Sequence, residues 1–121
     1  TPQPAHTFEE LQVIKKNSIN TSAKASIDGG FVYNNNTYDS DLDARTNIIG
    51  TATAISNGLA LPPGFTFRTK DNINVPMDSA EVINLGSALI VHVNNQYNRS
   101  WTLKAQVDAA TTQSDLDDIT W

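Results

Sequence analysis

The chain holds 121 residues, which fits a single domain with one modest core, since domains commonly hold about 100–150 residues. Its 8 basic and 13 acidic residues leave a net charge of −5 with the cations scattered, which argues against nucleic-acid binding, because that affinity rests on clustered Lys and Arg releasing counterions. The lack of cysteine excludes disulfide staples, thiolate zinc sites and cysteine nucleophiles, and no apolar run approaches the ~20 residues that span a bilayer, so no membrane insertion is expected.

Residues 1–6 read as a flexible head or linker, Pro-containing and without signal-peptide character, ahead of a single α+β domain over residues 7–121. Thr7-Phe8-Glu9-Glu10 fits a capping box and predicts a helix start. Phe8, Leu11, Ile14 and Ile19 form an imperfect apolar stripe, and the weak helix formers from Asn17 to Ser22 leave the helix end open ahead of Gly29-Gly30. Phe31 and Tyr33 then alternate as in a strand. Asn34-Asn35-Asn36 tolerate positive φ and form the turn, and Thr37-Tyr38 begin the return strand.

Ser40 or Asp41 caps the next helix, because a short side-chain oxygen satisfies an orphaned backbone donor there. Leu42, Ile48, Ile49, Ala52, Ile55 and Leu59 recur at helical spacing, Asn57-Gly58 supplies a left-handed stop, and Pro62-Pro63-Gly64 blocks continuation. A second hairpin follows, with Phe65 and Phe67 on one face of its first strand and Ile73, Val75 and Met77 alternating on its second. Pro76 cannot donate to a ladder, which places that strand at an edge or turns its N–H side toward solvent.

Asp78 with Glu81 opens the most apolar segment of the chain. Val82, Ile83, Leu85, Ala88, Leu89, Ile90, Val91 and Val93 surround nearly the whole helix, which predicts a central buried element, with Gly86 marking close packing against a neighbour. Beyond Asn94-Asn95 the helix either continues through Tyr97, Trp101, Lys104 and Val107 or bends. Ser114 is the candidate cap of a final turn that tucks in Leu116, Ile119 and Trp121. The summed order is α-ββα-ββα: an N-terminal helix, then two β-hairpin–helix units, with a small antiparallel sheet packed on helices.

Catalytic chemistry is sparse. Asp39, Asp41 and Asp43 open like a calcium loop, but the sixth position is Ala44 where a glycine turn is needed and the twelfth is Gly50 where a bidentate Glu is needed, so helix capping is the default. His6 and His92 have no ligand-spaced partner, and His92 reads as a core-flanking histidine bonded to a carbonyl or carboxylate. Ser87 lies within a helix, with no Gly-x-Ser-x-Gly elbow, and the glycines match no phosphate loop. The residues therefore point to a non-enzymatic protein with no cofactor, metal or catalytic site.

Binding is the alternative. Thirteen Asn and thirteen Thr outnumber all charged residues, a neutral hydrogen-bonding surface suited to carbohydrate or protein contacts, or else a plain reflection of genome composition. Tyr97 and Trp101 lie four apart on one helical face and Trp121 ends the sequence; these three are the candidate interface, the competing reading being that they cap the domain's own core. Tyr33, Asn34, Asn35 and Asn36 are the candidate exposed contact turn.

A family resemblance rests on an ordered set of residues. Gly29-Gly30-Phe31, a turn, Tyr38-Asp39-Ser40-Asp41, a helix, Phe67-Arg68-Thr69-Lys70-Asp71-Asn72, Val75-x-Met77-Asp78 and a helix carrying His92-Val93 together resemble a domain family of unassigned function found in phage and prophage tail proteins, near or within tail-fibre genes. The resemblance covers about residues 25–120 and is closest over Ser87 to Val93 and Leu103 to Thr111. Asn36 and Asn72 stand where that family usually has glycine, and Phe67 where it often has tryptophan. The resemblance implies a virion or assembly context, meaning the phage tail or the host cytoplasm during assembly. It also implies other tail proteins and homo-oligomer copies as partners, with a host surface glycan as a further option, and it transfers no catalytic residue.

Overall fold

The structure is a computed structural model that describes residues 5–121; residues 1–4 of the expected head lie outside the described residues, while Ala5 and His6 are exposed. The elements are α1 (Phe8–Asp28), β1 (Phe31–Tyr33), β2 (Asn36–Tyr38), α2 (Leu42–Ser56), β3 (Thr66–Arg68), β4 (Asn74–Pro76), α3 (Ser79–Ala109) and α4 (Gln113–Asp117). This is the expected α+β order. The chain divides into two compact units, one spanning Ser26–Asn94 and the other combining the residues up to Ala25 with Asn95–Trp121.

In the unit Ser26–Asn94, β1 and β2 pair antiparallel with Phe31 opposite Tyr38 and Tyr33 opposite Asn36. Asn34 (φ 49°) and Asn35 (φ 66°) both occupy the left-handed region, giving the two-residue primed turn whose twist matches the strands. The expected three-asparagine turn is therefore one residue too long. Asn36 belongs to the return strand, because the register seats it across from Tyr33.

Of the two cap candidates Asp41 caps α2, accepting from the Ala44 amide at 2.9 Å. Ser40 has a different role: its buried hydroxyl donates to the Ile27 carbonyl (2.6 Å) and accepts from the Gly30 amide (2.7 Å), binding the end of α1 to the strand that follows β1. Helix α2 ends as predicted. The Leu59 amide bonds the Ala54 carbonyl and the Gly58 amide bonds the Ile55 carbonyl, with Gly58 at φ 101°, which is the Schellman arrangement.

The second hairpin pairs Thr66 with Pro76 and Phe67 with Val75. It does not join the first in one sheet; each hairpin is its own two-stranded sheet, so β4 is an edge and tolerates Pro76. Lys70 links the two, its amide bonding the Thr37 carbonyl and its Nζ the Gly29 carbonyl, both at 2.8 Å. Phe31, Tyr38, Ile48, Phe67, Met77, Val82, Leu85 and Leu89 form the buried cluster of this unit. Burial of each large apolar member contributes roughly 1.5–3 kcal/mol.

Helix α3 runs unbroken through Asn94-Asn95, which resolves the open choice in favour of continuation. Its buried or half-buried positions advance by threes and fours, Val82, Leu85, Leu89, Val93, Gln96, Ser100, Leu103 and Val107, so the stripe that needs cover never lapses at the asparagines. The expectation of a helix buried all round fails, since Ile83, Ile90 and Val91 are 37%, 51% and 58% exposed. Three and four residue steps can place only one face on the core, and these side chains lie off it. Gly86 behaves as read: a Cβ there would stand 3.1 Å from the Ala52 methyl.

The other unit holds a second buried cluster, Ile19, Val107, Leu116 and Ile119, so the one core suggested by length is two clusters. Gln12 donates to the Val107 carbonyl and Lys15 to the Ile119 carbonyl, each at 3.0 Å. Thr7 caps α1 by accepting from the Glu10 amide at 3.1 Å. The helix persists through Asn17–Ser22 because Ile19 and Ala23 are buried there, and tertiary cover outweighs weak propensity. Helix α4 is capped by Thr112, not Ser114. Thr112 and Asp115 form a complete capping box, with the Asp115 carboxylate accepting from the Thr112 amide.

Candidate interaction surface

Tyr97 and Trp101 lie on α3 within the unit that contains α4, and the four-residue spacing brings their side chains together. Their rings stack with centroids 6.0 Å apart and planes 17° from parallel. Neither is a core cap: Tyr97 is 45% and Trp101 60% exposed, while Ser100 and Val107 carry the buried face of the same helix stretch. Stacked rings hold each other in place, so little side-chain freedom remains to be lost when a partner covers them.

Trp121, the third member of the proposed interface, is placed differently. It is half-buried, packs against the cluster of Ile19, Val107, Leu116 and Ile119, and receives the Arg99 guanidinium 4.6 Å from its ring centroid. Its ring is therefore committed to its own unit, as the competing reading had it.

The candidate contact turn is also divided by the structure. Asn34 and Asn35 are exposed at its tip, whereas Tyr33 packs against the Phe31–Tyr38 cluster with its ring 6.5 Å from that of Tyr38. Asn36 is half-buried in the return strand, opposite Tyr33. Only the two tip amides are fully available to a ligand. Burial raises the Tyr38 phenol above its ordinary range.

The polar clusters are engaged internally. Asp41 is occupied by the α2 cap, and no group of three or more His, Asp or Glu suited to a metal occurs among the described residues. His92 bonds the Ser26 and Ile27 carbonyls through Nε2 (3.0 and 3.3 Å) and stacks on Phe31; since a carbonyl can only accept, Nε2 carries the proton. Glu10 is held below its usual range first by His6 and then by Thr7, and Asp115 by the Thr111 amide and then Thr112. Both carboxylates serve helix starts.

Two features escaped the sequence reading. One is the exposed isoleucine face of α3, signalled only by Ile83 and Ile90 standing seven apart, outside the buried three-and-four progression. The other is a cleft of about 500 Å³ walled by the Pro62-bearing loop, the end of β4 and the first turn of α3. No sequence signal marked it, because its walls come from three separated segments.

The architecture is an α+β arrangement of an N-terminal helix, two hairpins each followed by a helix, and a short terminal helix. The chain belongs to the family described as a domain of unknown function (DUF4376), which matches residues 10–120. The match includes most of α1, beyond the 25–120 span of the resemblance read from the motifs. No curated protein and no solved structure matches the chain.

Proposed function

We propose that this protein is a non-enzymatic structural or adaptor component of a phage tail or tail-fibre apparatus, working through protein–protein contacts in the virion. The observation that carries the contact role is the exposed, mutually stacked Tyr97–Trp101 pair. Large aromatics dominate interface energetics, and a pre-ordered pair binds with a reduced entropy cost. The tail context is supported by the ordered motif set from Gly29 to His92. Candidate partners are other tail or tail-fibre proteins and further copies of this chain.

Mass spectrometry of purified particles tests the placement: stoichiometric presence supports the adaptor, and absence points to a fibre-assembly chaperone acting in the host cytoplasm. Replacing Tyr97 and Trp101 by alanine tests the surface. Exposed substitutions should change stability by no more than about 0.5 kcal/mol. Loss of a hot-spot pair should weaken partner capture or self-association by about 2 kcal/mol or more. A double variant that still assembles with unchanged affinity removes the surface from the proposal. The exposed Asn34–Asn35 tip supports a second reading, contact with a host surface glycan, for which glycan binding unaltered by N34G/N35G is the refuting result.

A further inference from the structure

Of the thirteen asparagines only Asn57 precedes a glycine. That pair is the one most prone to deamidation, since glycine has no side chain to hinder its backbone nitrogen from attacking the asparagine amide. Asn57 is exposed, yet the end of α2 holds it in a geometry unfit to react. Its ψ of 11° turns Cβ away from the Gly58 nitrogen, whereas closing the five-membered ring needs the two nearly eclipsed. The Gly58 N–H donates to the Ile55 carbonyl at 3.0 Å, and the Leu59 amide bonds the Ala54 carbonyl at 2.9 Å.

Both constraints belong to one small structure, the stop of α2, and both lapse together when it opens. Helix ends open locally at far lower cost than the core. Leu59 is 52% exposed, so little packing of its side chain opposes the opening.

We propose that Asn57 is a self-modification site gated by this helix stop, converting to aspartate or isoaspartate only from the opened end of α2. The Gly58 nitrogen gives its proton to solvent base, bonds the side-chain carbonyl carbon of Asn57 and expels the amide nitrogen as ammonia. Water then opens the succinimide at either carbonyl. The product adds one negative charge to the net −5, at a helix end where the dipole is already negative. Isoaspartate also lengthens the main chain by one carbon, which upsets the spacing of the two stop bonds, so the reaction weakens the gate that restrained it. The new carboxylate enters a groove between α2 and α3 whose lining, which includes Ile49, Thr53, Ile83 and Ile90, is otherwise uncharged. The inference stands without the proposed tail role, because it concerns the chain's own chemistry.

The test is peptide mapping by mass spectrometry of the full chain aged in mildly alkaline heavy-oxygen water, with and without urea. Position 57 should be the first asparagine to convert, and its rate should be at least about tenfold lower in the folded chain than in urea. Release of the Gly58 N–H is common to ring closure and to hydrogen exchange, so that ratio should match the exchange protection of the Gly58 amide within about threefold. L59P removes one stop bond and leaves the Asn-Gly pair intact. With the fold confirmed by circular dichroism, it should speed conversion in the folded chain at least about threefold and leave the rate in urea unchanged. Equal rates with and without urea, earlier conversion of another asparagine in the folded chain, a ratio unrelated to the Gly58 protection, or an unchanged folded-state rate in L59P each overturns the proposal.

Discussion

The two hairpins share a sequence pattern and close three-residue antiparallel pairings by different means, the first across two residues and the second across five. The β1–β2 pair is closed by backbone conformation, with Asn34 and Asn35 both left-handed and nothing between the strands but those two residues. The β3–β4 pair is closed by a side chain. Thr69 is buried, its hydroxyl accepts from the Ile73 amide at 3.0 Å, its own amide bonds the Ile73 carbonyl at 2.8 Å, and Asn72 alone is left-handed. A tight turn thus spends unusual φ values, and a longer one spends a buried polar group. The first hairpin is further bound to its surroundings by Ser40 and Tyr38, and the second through Lys70.

The largest test of this contrast is ring removal. Tyr38→Ala and Phe67→Ala should each cost about 3–5 kcal/mol in denaturant melts. Tyr38 should be the costlier, since it contacts both Phe31 and Tyr33 and is 1% exposed against 7% for Phe67. A larger loss for Phe67 would invert the ranking. Next come the buried hydroxyls. Ser40→Ala leaves the Gly30 amide without its partner and the Ile27 carbonyl with His92 alone, and should cost about 1–3 kcal/mol. Thr69→Ala removes one acceptor and should lie nearer ~1 kcal/mol. Equal costs would mean that the Ser40 bridge adds nothing beyond a single bond.

Turn substitutions give a smaller and more selective effect. Asn35→Val should cost about 1–2 kcal/mol because a β-branched residue resists positive φ, while Asn35→Gly and Asn72→Gly should be neutral or slightly stabilising. If valine is tolerated in calorimetry, the backbone account of the first hairpin is wrong. The gentlest probe is alkaline pH. Burial raises the Tyr38 phenol in the folded state, so the neutral form is favoured there. Its stabilising contribution is complete below the unfolded phenol range near 10 and is lost as pH rises through the folded value. Stability should fall in that window, and Y38F should blunt the fall; an identical alkaline limb in Y38F assigns it elsewhere. Among β3, β4 and the residues joining them, residues 66–76, there is no tyrosine, so the second hairpin carries no counterpart.

The legibility of the candidate surfaces followed from how local their determinants were. Spacing alone put Tyr97 beside Trp101, because the four-residue neighbourhood is a property of any helix. Spacing could not tell that Trp121 would be drawn into its own unit by Arg99, or that Tyr33 would pack inward while Asn34 and Asn35 stayed out. The cleft over Glu81 was invisible for the same reason, since its walls meet only after folding.

The sequence by itself determined the start of α1 at Thr7, the Asn57-Gly58 stop, the Asp78 cap, the two hairpins and the α+β order. Each is set by a residue and its neighbours within a turn or two, so local sterics and hydrogen bonding suffice. Tertiary structure alone decided that α1 and α3 run through their asparagine-rich stretches, and that α3 buries one face and leaves Ile83, Ile90 and Val91 in solvent. Those outcomes depend on which face finds cover. Burial of distant partners is worth several kcal/mol per helix, against a few tenths for the propensity of each asparagine.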